Sequence, residues 1–428
     1  MPSRALCAAA AILALSACSS PSPTATRSSA ASPATESSTP AAADGNIPAL
    51  DPAGWTSTVY KKLNDLIYGS AGQNKTVVFD FDNTTQARDV SEAVLARVQE
   101  TKAVDPGSLA SAMFPSFTTA EGKPMALSEG LSEYYDAVLD SGGEADPFRE
   151  YSSLPMPASV FSGRALSDFI DETSAVYDSG SGAADLTSGR QSKILNAGRP
   201  FIYPQMADLY GNLRRNGYDV WVVSAGIGWA VRWMVQNAVN PAIVAKYGQD
   251  AALPLDHVIG VTTLMKDRGS GQLVSDYQLT HKTPDTAYIN LAPARLAQLE
   301  ILAVPSGLTS WRGGKAGAID NIISRGELFM AAGDSMGDVE MLNRAPNRLV
   351  ISRLNKPALA EGFATEIAEA PDANWMLQPA INSAPAGFLE TKCEMTDKTA
   401  DDGDMRATAD KSLGVLEGTG RLGSFLDC

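Results

Sequence analysis

The sequence predicts an α/β protein: a doubly wound, mostly parallel sheet carrying an inserted, mostly helical cap domain. Three observations predict it. Apolar runs rich in β-branched or small residues recur at 76–79, 218–223 and 328–332, the length and character of buried strands. Segments of helical spacing separate them, the alternation that builds an open sheet with helices on both faces. Each run ends in acidic or small polar residues, at the strand ends where such sheets place ligands.

Length and charge set the outer limits. A chain of 428 residues, 44% hydrophobic and 19% charged, can form two or three domains with a sizeable core. The formal net charge of −15 argues against nucleic acid and anionic membrane surfaces as partners of the whole surface. An anionic substrate needs a local positive site built against that background.

The N-terminus reads as a targeting segment over 1–17. Arg4 precedes an apolar run to Leu15, too short to span a bilayer, and small residues follow. The ending Leu15-Ser16-Ala17-Cys18 resembles a bacterial lipobox, which implies a lipid on Cys18 and an extracytoplasmic, membrane-anchored lipoprotein at the cell surface or in the periplasm; ordinary signal cleavage near Ala17 is the other reading. Residues 18–50 are mainly Ser, Pro, Ala and Thr, too poor in large apolar side chains to offset ordering entropy, and read as a tether. Cys7 leaves with the signal, so Cys393 and Cys428 remain as the pair that a disulfide would join outside the cytoplasm.

The first part of the core is expected over 51–97. Trp55, Val59, Leu63 and Leu66 recur at helical spacing and predict a helix packed on the sheet. The strand at 76–79 then delivers Asp80 and Asp82 into a turn with Asn83, Thr84 and Thr85. Two readings stand at that point. The residues suit an Asx turn capping the next helix, and they equally suit a metal site or a nucleophile paired with an acid, because environment can split the pKa values of neighbouring carboxylates. Asp89 follows as a candidate N-cap with Glu92 in the capping-box position; facing the pocket instead, the same two carboxylates would favour a cationic substrate group.

Residues 98–198 lack strand alternation. Leu127, Leu131, Tyr134, Tyr135 and Leu139 form a helical stripe, so the segment reads as the cap, able to cover the site at the strand ends. The second part of the core is expected over 199–371. A helix containing Met206, Leu209 and Leu213 leads into the 218–223 strand, which ends at Ser224-Ala225-Gly226. A hydroxyl and backbone N–H groups there can hold an anion, or the Ser can cap a helix. A β-hairpin over 258–279 and an unplaced insertion over 285–309 follow. The Gly-rich approach Arg312-Gly313-Gly314-Lys315 puts a cation in a first helical turn, against the favourable dipole sense, which favours an anion-binding role over a solvated Lys and ranks Lys315 above Lys282. The third strand ends in Gly333-Asp334-Ser335-Met336-Gly337-Asp338, and a fourth lies at 348–352. From 372 to 428 the pattern weakens into a loop-rich C-terminal extension.

Asp80-Phe81-Asp82-Asn83-Thr84, the Ser after the second strand, the Gly-Lys-Ala pattern and Gly-Asp-Ser-Met-Gly-Asp resemble the four motifs of the haloacid dehalogenase superfamily, in its phosphoserine phosphatase-like branch. The resemblance covers roughly 76–352 apart from the insertions and implies a Rossmannoid core. It implies that Asp80 attacks phosphorus to give an aspartyl-phosphate and that Asp82 shuttles the proton. Ser224, Ala225 and Lys315 would hold phosphate oxygens, with Thr84 supporting the nucleophile loop. Mg2+ would sit on the Asp80 carboxylate, the Asp82 backbone carbonyl and Asp334, with Asp338 direct or through water. Charge makes this sensible: a dication and Lys315 offset three of the four carboxylate charges that would repel a phosphate dianion, and an all-oxygen set suits magnesium. The expected activity is hydrolysis of a small phosphomonoester. The Asp-x-Asp-Asn-Thr opening on an exported chain is similar to bacterial phosphorylcholine phosphatases. A quaternary ammonium calls for aromatic faces, with Trp229, Trp233, Trp311 and Tyr134 as candidates that core packing explains equally well. An amine would call for carboxylates such as Asp89 and Glu92. The alternatives are a phosphoserine or broad-specificity phosphatase, a phosphotransferase or mutase, and a non-enzymatic surface lipoprotein that keeps the fold.

Overall fold

The computed structural model describes residues 47–109, 113–119, 121–142, 151, 153–178, 200–307, 309–323, 328–382, 386–423 and 425. The readings on the signal, on Cys18, on most of the tether and on Cys428 lie outside the described residues. None of the described helices is long and apolar enough to cross a membrane. The predicted tether ends sooner than 50. The Pro48 carbonyl accepts from Asn212, and Leu50 is buried in the core.

Among the described residues nine strands form the central sheet: β1 (Thr76–Phe79), β2 (Asp219–Ile227), β3 (Val258–Asp267), β4 (Leu273–Val274), β5 (Leu299–Ser306), β6 (Leu328–Gly333), β7 (Asn347–Arg353), β8 (Asn374–Ile381) and β9 (Gly387–Phe388). Their order is β9-β8-β7-β6-β1-β2-β3-β4, with β5 beside β3. From β8 to β3 every neighbouring pair along that order is parallel; β9, β4 and β5 join antiparallel. The sheet is therefore doubly wound and mostly parallel, as the sequence predicts. The chain leaves β1 for β2 and β3 on one side, then returns to β6 and β7 on the other. Such a reversal opens a crevice at the strand ends. Phe79 is in register with Val222 of β2 and Ala332 of β6, so Asp80, Ser224 and the Asp334 turn emerge from three adjacent strands.

Local chemistry explains the flanking helices. Thr56 caps Ser57–Gly69, whose buried stripe is Val59, Leu63 and Ile67. Trp55 lies before that helix and packs edge-on against Phe388 with ring centroids 5.1 Å apart. Helix Val90–Thr101 begins at its Asp89 cap and ends with Lys102 in the left-handed region, so it runs unbroken across the core–cap boundary expected at 97. It packs on helices Leu131–Gly142 and Leu166–Asp178, from the segment expected as the cap.

Two expectations need correction. The tail after 372 is not a loop-rich appendage: β8 pairs in parallel with β7 over seven residues, and helix Gly403–Gly418 packs on helix Pro357–Glu369. β8 is hard to read because it is buried on both faces, which erases the alternation that marks a half-exposed strand, and Gln378 and Pro379 interrupt its apolar run. The second arm of the 258–279 hairpin is only two residues long. The longer antiparallel partner of β3 is β5, from the insertion that the sequence left unplaced.

Gly228 and Gly260 allow β2 and β3 to approach closely beyond Ser224. A Cβ built on Gly260 would lie 2.5 Å from Gly228 Cα and 2.9 Å from the Gly226 carbonyl oxygen. Both obstacles are backbone, so the strands would have to part. Gly260→Ala is expected to cost about 1–3 kcal/mol of stability, read as a lowered urea midpoint.

Candidate active site

Buried carboxylates at a strand end are costly unless paired, and here each has a distinct set of partners. Asp80, Asp82, Asp334, Asp338 and Lys315 are all less than 10% exposed. Lys315 projects from the short helix Gly313–Ala318. Its Nζ lies 2.5 Å from Asp80 Oδ1 and 2.6 Å from Asp338 Oδ1. The helix approach must be Gly-rich, since a Cβ on Gly314 would fall 1.7 Å from the Thr309 carbonyl oxygen. Burial alone would lower the Lys315 pKa, but Asp338 and Asp80 hold it above its ordinary value. The ammonium therefore stays charged.

Thr84 ties the two outer motifs together. Its hydroxyl lies 3.1 Å from Asp80 Oδ2 and 3.2 Å from Asp334 Oδ1, while Thr85 donates to the Asp80 carbonyl. Asp338 organises its own turn: Oδ2 accepts from the amides of Asp334 and Ser335 and from the Ser335 hydroxyl, each at 3.0 Å. Its burial leaves no room at Gly333, where a Cβ would meet Asp338 Cβ at 2.5 Å.

Asp82 faces a different environment. Oδ1 accepts from Gln86 Nε2 at 2.6 Å and from the Val90 amide at 3.0 Å; Oδ2 lies 3.4 Å from Ser224 Oγ. Burial first, and then the Asp89 carboxylate, raise its pKa well above the usual range against those hydrogen bonds. Asp80 is also raised by burial, opposed by Lys315. Among the described residues, the same strand end thus holds one carboxylate paired to a cation and one with no cation in contact. Gly226 closes the space between Asp82 and Ser224, for its Cβ would lie 2.3 Å from Asp82 Oδ2. Ser224 and Ala225 lie within β2 rather than in a turn after it, and a register shift against β3 marks the departure from regular pairing. The Ser224 hydroxyl accepts from the Gly226 amide, and its carbonyl accepts from Ser310 Oγ.

Ligand oxygens of Asp80, Asp334 and Asp338 lie within 4.8 Å of one another, forming a buried group that could hold a metal ion. The donor set is all oxygen, which fits a hard divalent cation. The Asp82 carboxylate is not part of this group. Burial raises Asp334 to about 6, while Arg353 pulls it down. Arg353 Nε lies 2.7 Å from Asp334 Oδ2, although neither atom makes a hydrogen bond; the distance is that of an ion pair, the angles are not.

Asp89 accepts from the Ser91 and Glu92 amides at 2.7 and 3.0 Å, so the capping reading describes it. Glu92 is half-buried and raised well above the usual carboxylate range by burial, Asp89 and Asp136. Burial, Asp89, Glu92, Asp136 and Asp82 together raise Tyr135. These residues therefore share one acidic, aromatic-edged neighbourhood next to Asp82. Tyr135, Asp136 and Arg353 are the site neighbours that sequence reading missed, because helical spacing gave the first a core role and nothing in the motifs marked the others. The aromatic candidates are engaged in packing or hydrogen bonds of their own, and Trp311 lies against the turn that carries Asp334 and Asp338. Trp229 is fully buried and donates to Tyr288, Trp233 packs on Tyr177, Tyr134 donates to the Pro115 carbonyl, and the Trp311 ring fills the space at Gly337. Lys282 is exposed, and among the described residues the ion pairs of these carboxylates are with Lys315 and Arg353. Cys393 is disulfide-bonded.

No protein-family model matches the chain. The phosphorylcholine phosphatase of Pseudomonas aeruginosa PAO1 is 31% identical over 300 residues, 69% of this chain and 78% of that protein. A conserved, functionally unknown protein from Anaerococcus prevotii superposes with a TM-score of 0.50 at 18% identity, covering 81% of this chain and 97% of that one, a likeness of fold alone. A phosphoserine phosphohydrolase-like protein from Francisella tularensis matches at 14% identity over 65% of this chain and 87% of that chain, with a TM-score of 0.25, too low to bear on the fold.

Asp338→Ala removes the partner of three donors in its turn and of Lys315. The expected loss is about 3–5 kcal/mol, the cost of stranding one member of a buried ion pair, measurable by urea denaturation.

Proposed function

Because the chain belongs to the phosphorylcholine phosphatase family of haloacid dehalogenase-like phosphatases, we propose that it hydrolyses a small phosphomonoester of a cationic amino alcohol through an aspartyl-phosphate. The contact of Lys315 Nζ with Asp80 Oδ1 at 2.5 Å, two positions before Asp82, which no cation contacts among the described residues, carries this reading. An Asp80 oxygen attacks phosphorus as the bond to the leaving alcohol oxygen breaks, and Asp82 gives that oxygen its proton. Water then attacks phosphorus, Asp82 takes the water proton, and the bond to Asp80 breaks. Inorganic phosphate leaves and both carboxylates are restored. The raised Asp82 pKa supports the proton-bearing form that the first step needs. Lys315, the Ser224 hydroxyl and the backbone at Ala225 would position the phosphoryl oxygens, and positioning with charge neutralisation is most of what phosphoryl transfer requires.

Magnesium, held by Asp80, Asp334 and the Asp82 carbonyl with Asp338 behind them, would supply positive charge against the phosphoryl oxygens. Glu92, Asp89, Asp136 and Tyr135 support a cationic leaving group, since a quaternary ammonium is attracted by both carboxylates and aromatic rings. Phosphorylcholine fits that neighbourhood. Phosphoserine fits less well, because its own carboxylate would meet the acidic cluster. The leader ending in Cys18 supports an extracytoplasmic, lipid-tethered location, where such an enzyme would draw on external phosphoesters.

Magnesium-dependent phosphate release should vanish in Asp80→Asn and fall about 10²–10⁴-fold in Asp82→Asn. Wild-type activity in Asp80→Asn would sink the mechanism. In a panel of phosphorylcholine, phosphoethanolamine, phosphoserine and p-nitrophenyl phosphate, Glu92→Gln should raise KM for phosphorylcholine roughly tenfold, about 1.4 kcal/mol of lost headgroup attraction. Its turnover of p-nitrophenyl phosphate should stay unchanged. A uniform change across the panel would remove Glu92 from specificity.

A further inference from the structure

Lys315 compensates Asp80 and Asp338, and Arg353 at the end of β7 faces the third carboxylate of the group. The two side chains are 15% and 3% exposed, with Nε 2.7 Å from Asp334 Oδ2. Their contact lacks hydrogen-bond geometry at both atoms, so it supplies charge without fixing direction. Direction comes from elsewhere: Thr84 engages Asp334 Oδ1, and Asp338 holds the Asp334 amide. The Arg353 charge also acts on Asp89 and Glu92, so it bears on both groups of carboxylates.

We infer that Arg353 is the resident counter-ion of Asp334: it compensates the carboxylate when no divalent ion is bound and weakens binding of that ion, keeping it exchangeable. The inference rests on the metal reading above. Coulomb's law gives the sign. A dication sharing Asp334 carries twice the charge of the carboxylate, so its repulsion of the guanidinium cancels the carboxylate's attraction even at twice the distance. Arg353 therefore stabilises the empty site more than the loaded one. By linkage, a group that favours the ion-free state lowers affinity for the ion.

The test titrates Mg2+ alone into the full chain by calorimetry at mildly alkaline pH, with melting temperatures taken in EDTA and in saturating Mg2+. Arg353→Met should bind Mg2+ roughly tenfold more tightly and lose more thermal stability in EDTA than in Mg2+. Arg353→Lys, which keeps the charge with a different reach, should lie between it and wild type. Equal or weaker Mg2+ binding by Arg353→Met, or equal losses of melting temperature in both buffers, would overturn the inference. If Arg353→Met does not fold, Arg353→Gln, which also removes the charge, decides, because unchanged or weaker binding by it is equally fatal. Asp334→Asn separates the two levels: wild-type heat that this variant does not abolish would refute the metal reading itself, and the role of Arg353 with it.

Discussion

The buried contact of Lys315 with Asp80 and Asp338 is the constraint on which the rest of the site depends. Desolvating an ammonium or a carboxylate is expensive, and mutual attraction repays that cost only when geometry is good and remaining donors and acceptors are satisfied. The distances of 2.5 and 2.6 Å and the three additional donors on Asp338 meet that condition. Glycine is therefore required at 314 and 333, where a side chain would enter backbone or carboxylate space. The sheet order follows the same logic: only neighbouring β1 and β6 bring Asp80 and Asp334 within reach of one threonine hydroxyl.

A division of electrostatic labour results. On one side, Lys315 and Arg353 face the carboxylates grouped for a cation. On the other, Asp82 has amide and hydroxyl neighbours and a further carboxylate nearby, so burial favours its neutral form. Two aspartates with one residue between them thus meet different neighbours, Lys315 at Asp80 and the Gln86 and Val90 donors with Asp89 nearby at Asp82, because the chain leaves the strand after Phe79 and turns, with Asn83 in the left-handed region. Helices Val90–Thr101 and Leu131–Gly142 extend the acidic side through Glu92, Tyr135 and Asp136.

Much of this was legible in the sequence. Asp80, Asp82, Ser224, Lys315, Asp334 and Asp338 are tied to strand ends and a Gly-rich helix start, local patterns that need no tertiary information, and the structure brings them together. Other parts were not. β8 is buried on both faces and loses alternation, so the tail looked irregular. β5 lies in an insertion of short elements without a sustained period. Tyr135 belongs to a helical stripe whose spacing says core, and its neighbourhood with Glu92 arises from two separate helices. Arg353 follows an ordinary apolar strand and carries no motif.

The sequence by itself determined the fold class, the order of the motif residues along the chain and their chemical types, because strand period, turn chemistry and local spacing are written in neighbouring residues. Tertiary structure decided which charges pair. Asp338 is 23 residues from Lys315 and Asp80 is 235 residues from it, and Arg353 reaches Asp334 only because β7 lies beside β6. Coulomb and desolvation energies depend on distance and burial in space, and neither can be read from position along the chain.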